Sequence, residues 1–221
     1  MIKLQKNSFS NSKNLVYNEF HPNQKFGYAC LSYYPAECDE ISKINAHILD
    51  SILKFNLENF SKEEIKEPLE EFFIQLNWRL YSMFKQTNGK EKGISFILII
   101  NFDDKLLIIP FGRFLCGIWD ENGLTELGNE WENFQVKSMQ ELKLLGNLAQ
   151  NLKPNIIEHH LLNNTGLTII PAHKNHFAEF NNLNEILNHL NSSEETFPHI
   201  ILSNGVIKNN KSKKILGKLL K

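Results

Sequence analysis

The spacing of apolar residues predicts a strand and then a helix in the first part of the chain. Residues 26–34 (FGYACLSYY) have the length and the aromatic content of a strand. Apolar residues then recur at steps of three and four, as on one face of a helix: Ile41, Ile44, Ile48, Ile52 and Phe55.

A second helix is predicted to follow a capping box. Ser61 and Glu64 are spaced so that each side chain can satisfy the free backbone amide of the other. An apolar stripe then runs over 65–83, and the turn sequence at 88–89 (Asn-Gly) ends it. Pro68 lies inside this stripe, and it is tolerated only if the helix begins a little after the box.

The pattern then changes to that of strands. Residues 94–101 (ISFILIIN) form a continuous apolar run, which is typical of a buried strand. Further strands are predicted at 105–110, 113–119, 124–127, 166–170 and 199–203, with hairpin turns at 103–104 and 120–123. Two more helices are predicted, one from a capping box at Ser138 through Leu148 and one near 182–190.

In this order the strands cluster and do not alternate strictly with helices. Such an order favours an α+β sandwich over a doubly wound sheet. Because the middle strands are apolar on both faces, we predict two stacked, mainly antiparallel sheets flanked by helices, a four-layer αββα sandwich. One domain is expected over 1–207, followed by a Lys-rich C-terminal tail at 208–221.

The tail at 208–221 carries six lysines, no acidic residue and a short apolar stripe. One interpretation is a solvated, frayed terminal helix. The other is a basic amphipathic segment that makes weak contact with an anionic membrane surface or tethers the domain to a partner. The segment is too short to anchor the protein by itself.

Composition excludes several classes of protein. Hydrophobic residues make up 42% and charged residues 22% of the 221 residues, as in ordinary globular proteins. The net charge of −1 gives no reason to expect nucleic-acid binding. Three cysteines without a C-x-x-C spacing exclude a disulfide scaffold. The sequence shows neither a secretory signal nor an apolar run of about 20 residues, so we expect a cytoplasmic protein.

Most residues that could carry chemistry have a structural explanation. Phosphate-binding loops, a nucleophile elbow and H-E-x-x-H are absent from the sequence. His159 and His160 are adjacent and would point apart, so a shared metal ion is not expected. Cys30 and Cys116 lie inside apolar strands, where a thiol is normally buried and inert.

Arg113 is the candidate binding residue. It is one of two arginines in the chain and opens the third strand of the meander, directly after 110–112 (Pro-Phe-Gly). A guanidinium at a strand end can hold a carboxylate or a phosphate. The alternative is a surface salt bridge at the edge of the sheet.

Several short strings and the order of the elements resemble the metal-dependent serine/threonine phosphatases of the protein phosphatase 2C-like (PPM) type. Asn18-Glu19 is similar to the start of that family's N-E-D string. Residues 26–43 resemble its strand into D-G-x-G-G, and residues 93–127 resemble its G-T-T hairpin followed by G-D-S-R. The resemblance covers roughly 14–205, with few identities, and implies the αββα fold.

The departures from the family fall on its metal ligands. The resemblance implies aspartates at strand ends that bind two Mg²⁺ or Mn²⁺ ions. At those places this sequence has Ser32-Tyr33, Phe111-Gly112, Ala172-His173 and Pro198-His199, and no aspartate follows Asp120. Arg113 is the one polar residue of the set that matches. We therefore expect no metal and no other cofactor.

The sequence thus predicts a catalytically inactive phosphatase-like domain with a regulatory or scaffold role. It would bind a protein partner or a small ligand at the former cleft, around Tyr33, Tyr34, Arg113 and His173. One alternative is a hydrolase in which His173, His199 and a glutamate converge. The other is an N-terminal-nucleophile fold, for which Met1-Ile2 offers no nucleophile.

Overall fold

The structure is a computed structural model of the chain. It describes residues 4–9, 15–20, 26–34, 41–86, 93–102, 105–112, 114–120, 123–127, 143–147, 151–160, 166–171, 185 and 200–204. The chain divides into two compact units. Unit A comprises 13–112 and 137–159, and unit B comprises 1–12, 113–136 and 160–221.

Unit A contains one five-stranded sheet, here called sheet A, and two α-helices. In chain order its elements are β2 (Leu15–Phe20), β3 (Phe26–Tyr33), α1 (Ile41–Phe55), a 3₁₀ turn (Leu57–Asn59), α2 (Lys66–Gln86), β4 (Ser95–Phe102), β5 (Lys105–Phe111) and β8 (Ile157–His160). The strands lie in the order β2-β3-β4-β5-β8, and the pairs β2–β3, β3–β4 and β4–β5 are antiparallel.

Unit B contains a second five-stranded sheet, sheet B. Its strands are β1 (Leu4–Phe9), β6 (Phe114–Asp120), β7 (Gly123–Glu126), β9 (Gly166–Pro171) and β10 (Ile200–Asn204). They lie in the order β1-β10-β9-β6-β7, with all four neighbouring pairs antiparallel.

The main core of unit A lies between sheet A and its two helices. Alternate residues of a strand point to one face, so the even positions of β3 and β4 enter this core together, as do the odd positions of β5. The face of α1 formed by Ile44, Ile48 and Ile52 packs there with the buried stripe of α2. The helices therefore form because the sheet buries their apolar faces.

The opposite face of sheet A is buried as well. Its fully buried residues come from the other set of strand positions: Ala29, Leu31, Ile97, Ile99, Leu106 and Ile108. A strand buried on both faces requires apolar side chains at successive positions. This is why β4 reads as an uninterrupted apolar run instead of an alternating one.

The two residues of the predicted capping box contact each other through their side chains, in the turn before the helix itself. The Ser61 hydroxyl donates to Glu64 Oε2 at 2.7 Å, and α2 begins at Lys66. Pro68 then lies in the first turn of the helix, where its missing amide hydrogen breaks no intrahelical hydrogen bond. The late start inferred from Pro68 is confirmed.

The predicted helix over 138–148 is wrong where the structure describes it. Residues 143–147 are extended and then turn, and Leu145 forms an isolated antiparallel bridge with Ile94. Both backbone hydrogen bonds of that bridge are present, at 2.9 and 3.0 Å. Pairing with the start of β4 satisfies the backbone groups that a helix would have used locally.

Three strands are absent from the sequence-based prediction, namely β1, β2 and β8. Two of them, LQKNSF (4–9) and IEHH (157–160), are rich in polar residues, so their apolar pattern is weak. The predicted turn at 103–104, the helix near 182–190 apart from residue 185, and the tail at 208–221 lie outside the described residues.

The predicted fold class is confirmed as α+β with two antiparallel sheets and few helices. The single domain over 1–207 stays a prediction. Among the helices that the structure describes, none is long and apolar enough to span a membrane.

Candidate site at the strand ends of sheet A

Three strands of sheet A bring together two of the four places at which the family resemblance implies metal ligands, Ser32-Tyr33 and Phe111-Gly112. Tyr33, at the end of β3, pairs with Ser95, at the start of β4. One step further along, Ser32 pairs with Phe96, which in turn pairs with Phe111 at the end of β5. These residues form one end of sheet A, and we call them the strand-end site.

The side chains of the strand-end site are buried and carry no charge. Their exposed fractions are 1% for Ser32, 8% for Tyr33, 5% for Ser95 and 3% for Phe111. The Ser32 hydroxyl lies beyond solvent contact and has no hydrogen-bond partner among the described residues. These strand ends therefore carry hydroxyl groups and aromatic rings on the two faces of the sheet, Ser32 and Phe111 towards the helices and Tyr33 and Ser95 on the opposite face, and they carry no carboxylate.

Backbone geometry at Gly112 prevents a larger side chain there. Its φ of +80° lies in the left-handed region, and a Cβ atom would approach Ser95 Oγ to 2.5 Å and Leu144 Cδ2 to 2.8 Å. Other residues adopt this φ only with strain, and both contacts are closer than normal packing allows. A ligating side chain at this position would displace its neighbours.

A loop at 144–147 closes over this end of unit A. Gly146, with φ +81°, packs against Leu80 and Phe84 of α2, and its amide donates to Asn77 Oδ1 at 2.8 Å. Asn77 is completely buried, so this hydrogen bond holds the loop at a defined place under the helix. The apolar stripe that predicts α2 does not indicate that Asn77 is buried and accepts this hydrogen bond.

The residues of the strand-end site do not fit a divalent metal. Mg²⁺ and Mn²⁺ are bound by carboxylate and carbonyl oxygens around an open coordination shell. A buried serine, a tyrosine and a phenylalanine do not provide that set. Within the described part of the chain, no cluster of three or more His, Cys, Asp or Glu side chains could hold a metal ion.

The structure describes two of the four predicted binding residues. Tyr33 and Tyr34 are 8% and 2% exposed, and Tyr34 belongs to the core beneath the helices. Arg113 and His173 lie outside the described residues, as do 172, 198 and 199. A binding role for the four together stays a prediction.

The cysteines described by the structure behave as the sequence indicates. Cys30 and Cys116 are free and buried. Burial raises the pKa of the Cys30 thiol to about 12, so it stays protonated at neutral pH and is a poor nucleophile. Cys38 lies outside the described residues.

The pKa values of two tyrosines near Cys30 are also raised. Burial, followed by the charge of Glu19 and its hydrogen bond, raises the pKa of Tyr17 far above its usual range. Burial likewise raises the pKa of Tyr28. Neither hydroxyl is ionised at neutral pH.

One charged cluster of unit A was not predicted. Lys66 at the start of α2 and Lys105 at the start of β5 both form ion pairs with Glu158 of β8. Hydrogen bonds from Lys105 and then from Lys66 lower the pKa of Glu158 to about 2. These residues are distant in the sequence, so only the folded sheet brings them together.

The sequence matches no protein-family model and no curated protein. The fold, in contrast, is similar to several solved structures. Serine/threonine phosphatase Stp1 from Staphylococcus aureus aligns with a TM-score of 0.63 and 15% identity, covering 93% of this chain and 96% of that chain. The serine/threonine phosphatase of S. agalactiae gives 0.60 and 12%, with 91% and 97% covered.

A third similar structure is that of PppA, a key regulatory component of T6SS in Pseudomonas aeruginosa. It aligns with a TM-score of 0.56 and 9% identity over 86% of this chain and 97% of that chain. At these identities the similarity concerns the fold alone. The two antiparallel sheets and their helices therefore have the PPM-type serine/threonine phosphatase fold, as the resemblance of the sequence predicted.

Proposed function

We propose that this chain is a phosphatase-like domain that acts by binding a protein or a small ligand and does not hydrolyse phosphate esters. The observation that carries the proposal is the strand-end site, where buried, uncharged residues occupy two of the four places at which the resemblance implies metal ligands. It is a pseudophosphatase in this interpretation, with a regulatory or scaffold role.

Chemical requirements support the absence of two-metal catalysis. Activation of a bridging water needs carboxylates that hold two cations a few ångströms apart. Ser32 and Phe111, which stand at the two described aspartate places, cannot supply them. The five aspartates of the sequence are residues 39, 50, 103, 104 and 120, and none of them occupies a position at which the family resemblance implies a metal ligand.

Arg113 is the residue that we propose for recognition, together with Tyr33, Tyr34 and His173. A guanidinium pairs with carboxylate or phosphate through two parallel hydrogen bonds, so the partner would present an anionic group. PppA, a regulatory component with a similar fold, supports a regulatory role. We place the interaction in the cytoplasm, where free thiols such as Cys30 and Cys116 are maintained. The basic tail at 208–221 would add a weak contact with the partner or with an anionic membrane surface.

The first test is calorimetric titration with Mn²⁺ and Mg²⁺, with hydrolysis of p-nitrophenyl phosphate followed in parallel. An active phosphatase of the same fold is run beside it as the positive control. We expect neither metal binding nor turnover above the uncatalysed rate. Metal binding accompanied by turnover would overturn the proposal.

The second test addresses the recognition role of Arg113. The protein is immobilised, its partners are captured and identified, and the capture is repeated with Arg113→Ala. Arg79→Ala is the matched control, because Arg79 is the other arginine and lies exposed on α2. We expect Arg113→Ala to lose the partner and Arg79→Ala to retain it. Equal capture by both variants would remove Arg113 from the proposal.

A hydrolase with a histidine and glutamate site is the rival function. It predicts metal-independent turnover that disappears in His173→Ala and in His199→Ala. The proposed binding function predicts no turnover in any of the three proteins. An activity screen over ester and phosphate substrates therefore separates the two functions.

A further inference from the structure

Residues 151–158 lie along α2 and include the start of β8, and we call this segment the strap. At its first residue, Asn151 Oδ1 accepts a hydrogen bond of 3.1 Å from Trp78 Nε1, in the second half of α2. Lys153 then forms an ion pair of 3.1 Å with Glu70, in the first half of that helix. The strap therefore runs along α2 towards the start of the helix.

The last residue of the strap joins the helix to the sheet. Glu158 forms ion pairs with Lys66 at the start of α2 and with Lys105 at the start of β5. Because β8 is the neighbour of β5 in sheet A, this part of the strap covers the edge of β5. Opposite charges thus face each other at two places, Lys153 against Glu70 and Glu158 against the two lysines. Together these pairs set the position of the strap along α2.

Burial contributes less to the strap than to the centre of sheet A. Leu152 is buried in the main core at 4% exposure, and Ile156 packs against that core in part. Every residue of 153–158 is at least partly exposed to solvent. In β4, by comparison, each residue is buried apart from Phe102 at its end. Charge pairs and backbone pairing therefore hold much of the strap, whereas apolar burial holds β4.

The ion pairs of the strap are accessible to dissolved ions. The side chains of Lys153 and Glu70 are 71% and 41% exposed, and that of Glu158 is 29% exposed. The range of an electrostatic interaction between exposed charges falls from about 10 Å at 0.1 M salt to about 3 Å at 1 M. The apolar contacts of the core do not depend on charge. A segment with few buried contacts can open locally while the remaining structure stays folded.

We propose that the strap opens and closes as a unit while the rest of unit A stays folded, and that ionic strength controls this equilibrium. In the closed form, the ion pairs hold β8 against β5. In the open form, Lys66 and Lys105 lose their shared carboxylate, and the edge of β5 is exposed to solvent. The fold thus contains a switch that uncovers a sheet edge beside two positive charges. It is independent of the proposed binding function, because it uses neither the strand-end site nor Arg113.

The test is amide hydrogen exchange of the full wild-type chain, followed by mass spectrometry at low and high concentrations of sodium chloride. Peptides covering the strap and β5 should exchange about fivefold faster at high salt, because screening weakens the ion pairs of the closed form. Peptides covering β4 in the same sample should not. Low concentrations of urea should accelerate the exchange of β4 more than that of the strap, because local opening exposes less surface than global unfolding.

Glu158→Gln tests the end of the strap. It removes both ion pairs and keeps the shape of the side chain, so the strap should exchange about fivefold faster at low salt and respond less to added salt. Asp50→Asn is the matched control, because it makes the same chemical change and removes an exposed ion pair with Lys54 within α1. It should leave the exchange of the strap unchanged.

A charge exchange tests the middle of the strap. Lys153→Glu places a carboxylate opposite Glu70 and should also accelerate exchange, and Lys153→Glu/Glu70→Lys should return the rate towards that of the wild type. Circular dichroism of each variant verifies that it is folded. Exchange of the strap that is independent of salt, that follows β4 at every urea concentration, or that is equal in Glu158→Gln and Asp50→Asn would each overturn the proposal, as would failure of the double variant to restore slow exchange.

Discussion

Two regions of unit A differ in how strongly they depend on the identity of individual side chains. The core beneath α1 and α2 contains aliphatic and aromatic residues from three strands, two helices and the 3₁₀ turn. The ring centroid of Phe73 lies there 4.6 Å from that of Phe111 and 6.1 Å from that of Phe96. At the strand-end site, which shares Phe96 and Phe111 with this core, the identity of individual residues such as Ser32 would determine the chemistry.

The difference shows what each region requires. The core needs apolar volume at the right period, which many combinations of Ile, Leu and Phe provide. A two-metal site needs oxygen donors at fixed places, and substitution of those few donors abolishes it. A chain can therefore have the phosphatase fold and lack the residues that bind the metals.

The largest loss of stability should come from a substitution in the core. Phe73→Ala removes a fully buried ring that packs against Phe96 and Phe111, and it should lower the free energy of unfolding by about 3–5 kcal/mol. Urea denaturation followed by circular dichroism measures this. Leu53→Ala is the control, since Leu53 is 53% exposed on α1 and its loss should change stability by less than about 0.5 kcal/mol. Similar losses in the two variants would contradict the assignment of the core.

Introducing a carboxylate at the strand-end site tests whether one added oxygen donor is enough for this site to bind a metal ion. Ser32→Asp should destabilise the protein by about 3 kcal/mol at neutral pH, because it buries an unpaired charge. Burial raises the pKa of such an aspartate above its value in the unfolded chain, so the loss grows as the pH increases through the raised pKa. Thermal unfolding as a function of pH measures this loss of stability.

Ser32→Asn is the matched control for that variant. It has nearly the same shape without the titrating group, so its loss of stability should not depend on pH. Addition of Mn²⁺ should leave the melting temperature of Ser32→Asp unchanged. A clear increase would mean that further oxygen donors reach the strand-end site, and the proposed function would need revision.

A smaller loss of stability is expected when the hydrogen bond between Asn77 and the 144–147 loop is removed. Asn77→Ala leaves the buried amide of Gly146 without its acceptor and should reduce stability by about 2 kcal/mol. The Gly146 amide should also exchange its hydrogen faster in the variant. The control is Gln75→Ala on the same helix, where the side chain is exposed. Unchanged exchange at Gly146 would show that the hydrogen bond does not hold the loop.

The smallest effect is expected at the ion-pair cluster on the surface. The pKa of Glu158 is lowered from 4.5 to about 2, so the ionised form contributes stability that is present above the unfolded-state pKa. That contribution is lost as the pH falls towards the lowered value. Because Glu158 is largely solvated, Glu158→Gln should lower the melting temperature only slightly at pH 7.

The pH dependence separates this cluster from an ordinary packing effect. The melting temperatures of wild type and Glu158→Gln should converge as the pH falls from 4.5 to about 2, and high salt should reduce their difference. A difference that is independent of both pH and salt would contradict an electrostatic origin.

Sequence reasoning predicted those elements whose pattern is strong. The helix α1, the strands β3 to β5 and the hairpin of β6 and β7 follow from runs and stripes that only one kind of element can bury. It failed at β1 and β8, where polar sequences become strands because a neighbouring strand pairs with them. It also failed at 143–147, where the bridge between Leu145 and Ile94 replaced the predicted helix.

The sequence by itself determined which segments with a strong apolar pattern are helices and which are strands, because the spacing of apolar residues is a local property of the chain. It also determined the types of side chain at the strand ends. The absence of any aspartate after Asp120 needs no coordinates. Only the tertiary structure decided that Asn77 anchors Gly146 and that Lys66, Lys105 and Glu158 meet. Those contacts join residues far apart in the chain, and their partners are selected by the sheet and helix packing that brings them within reach.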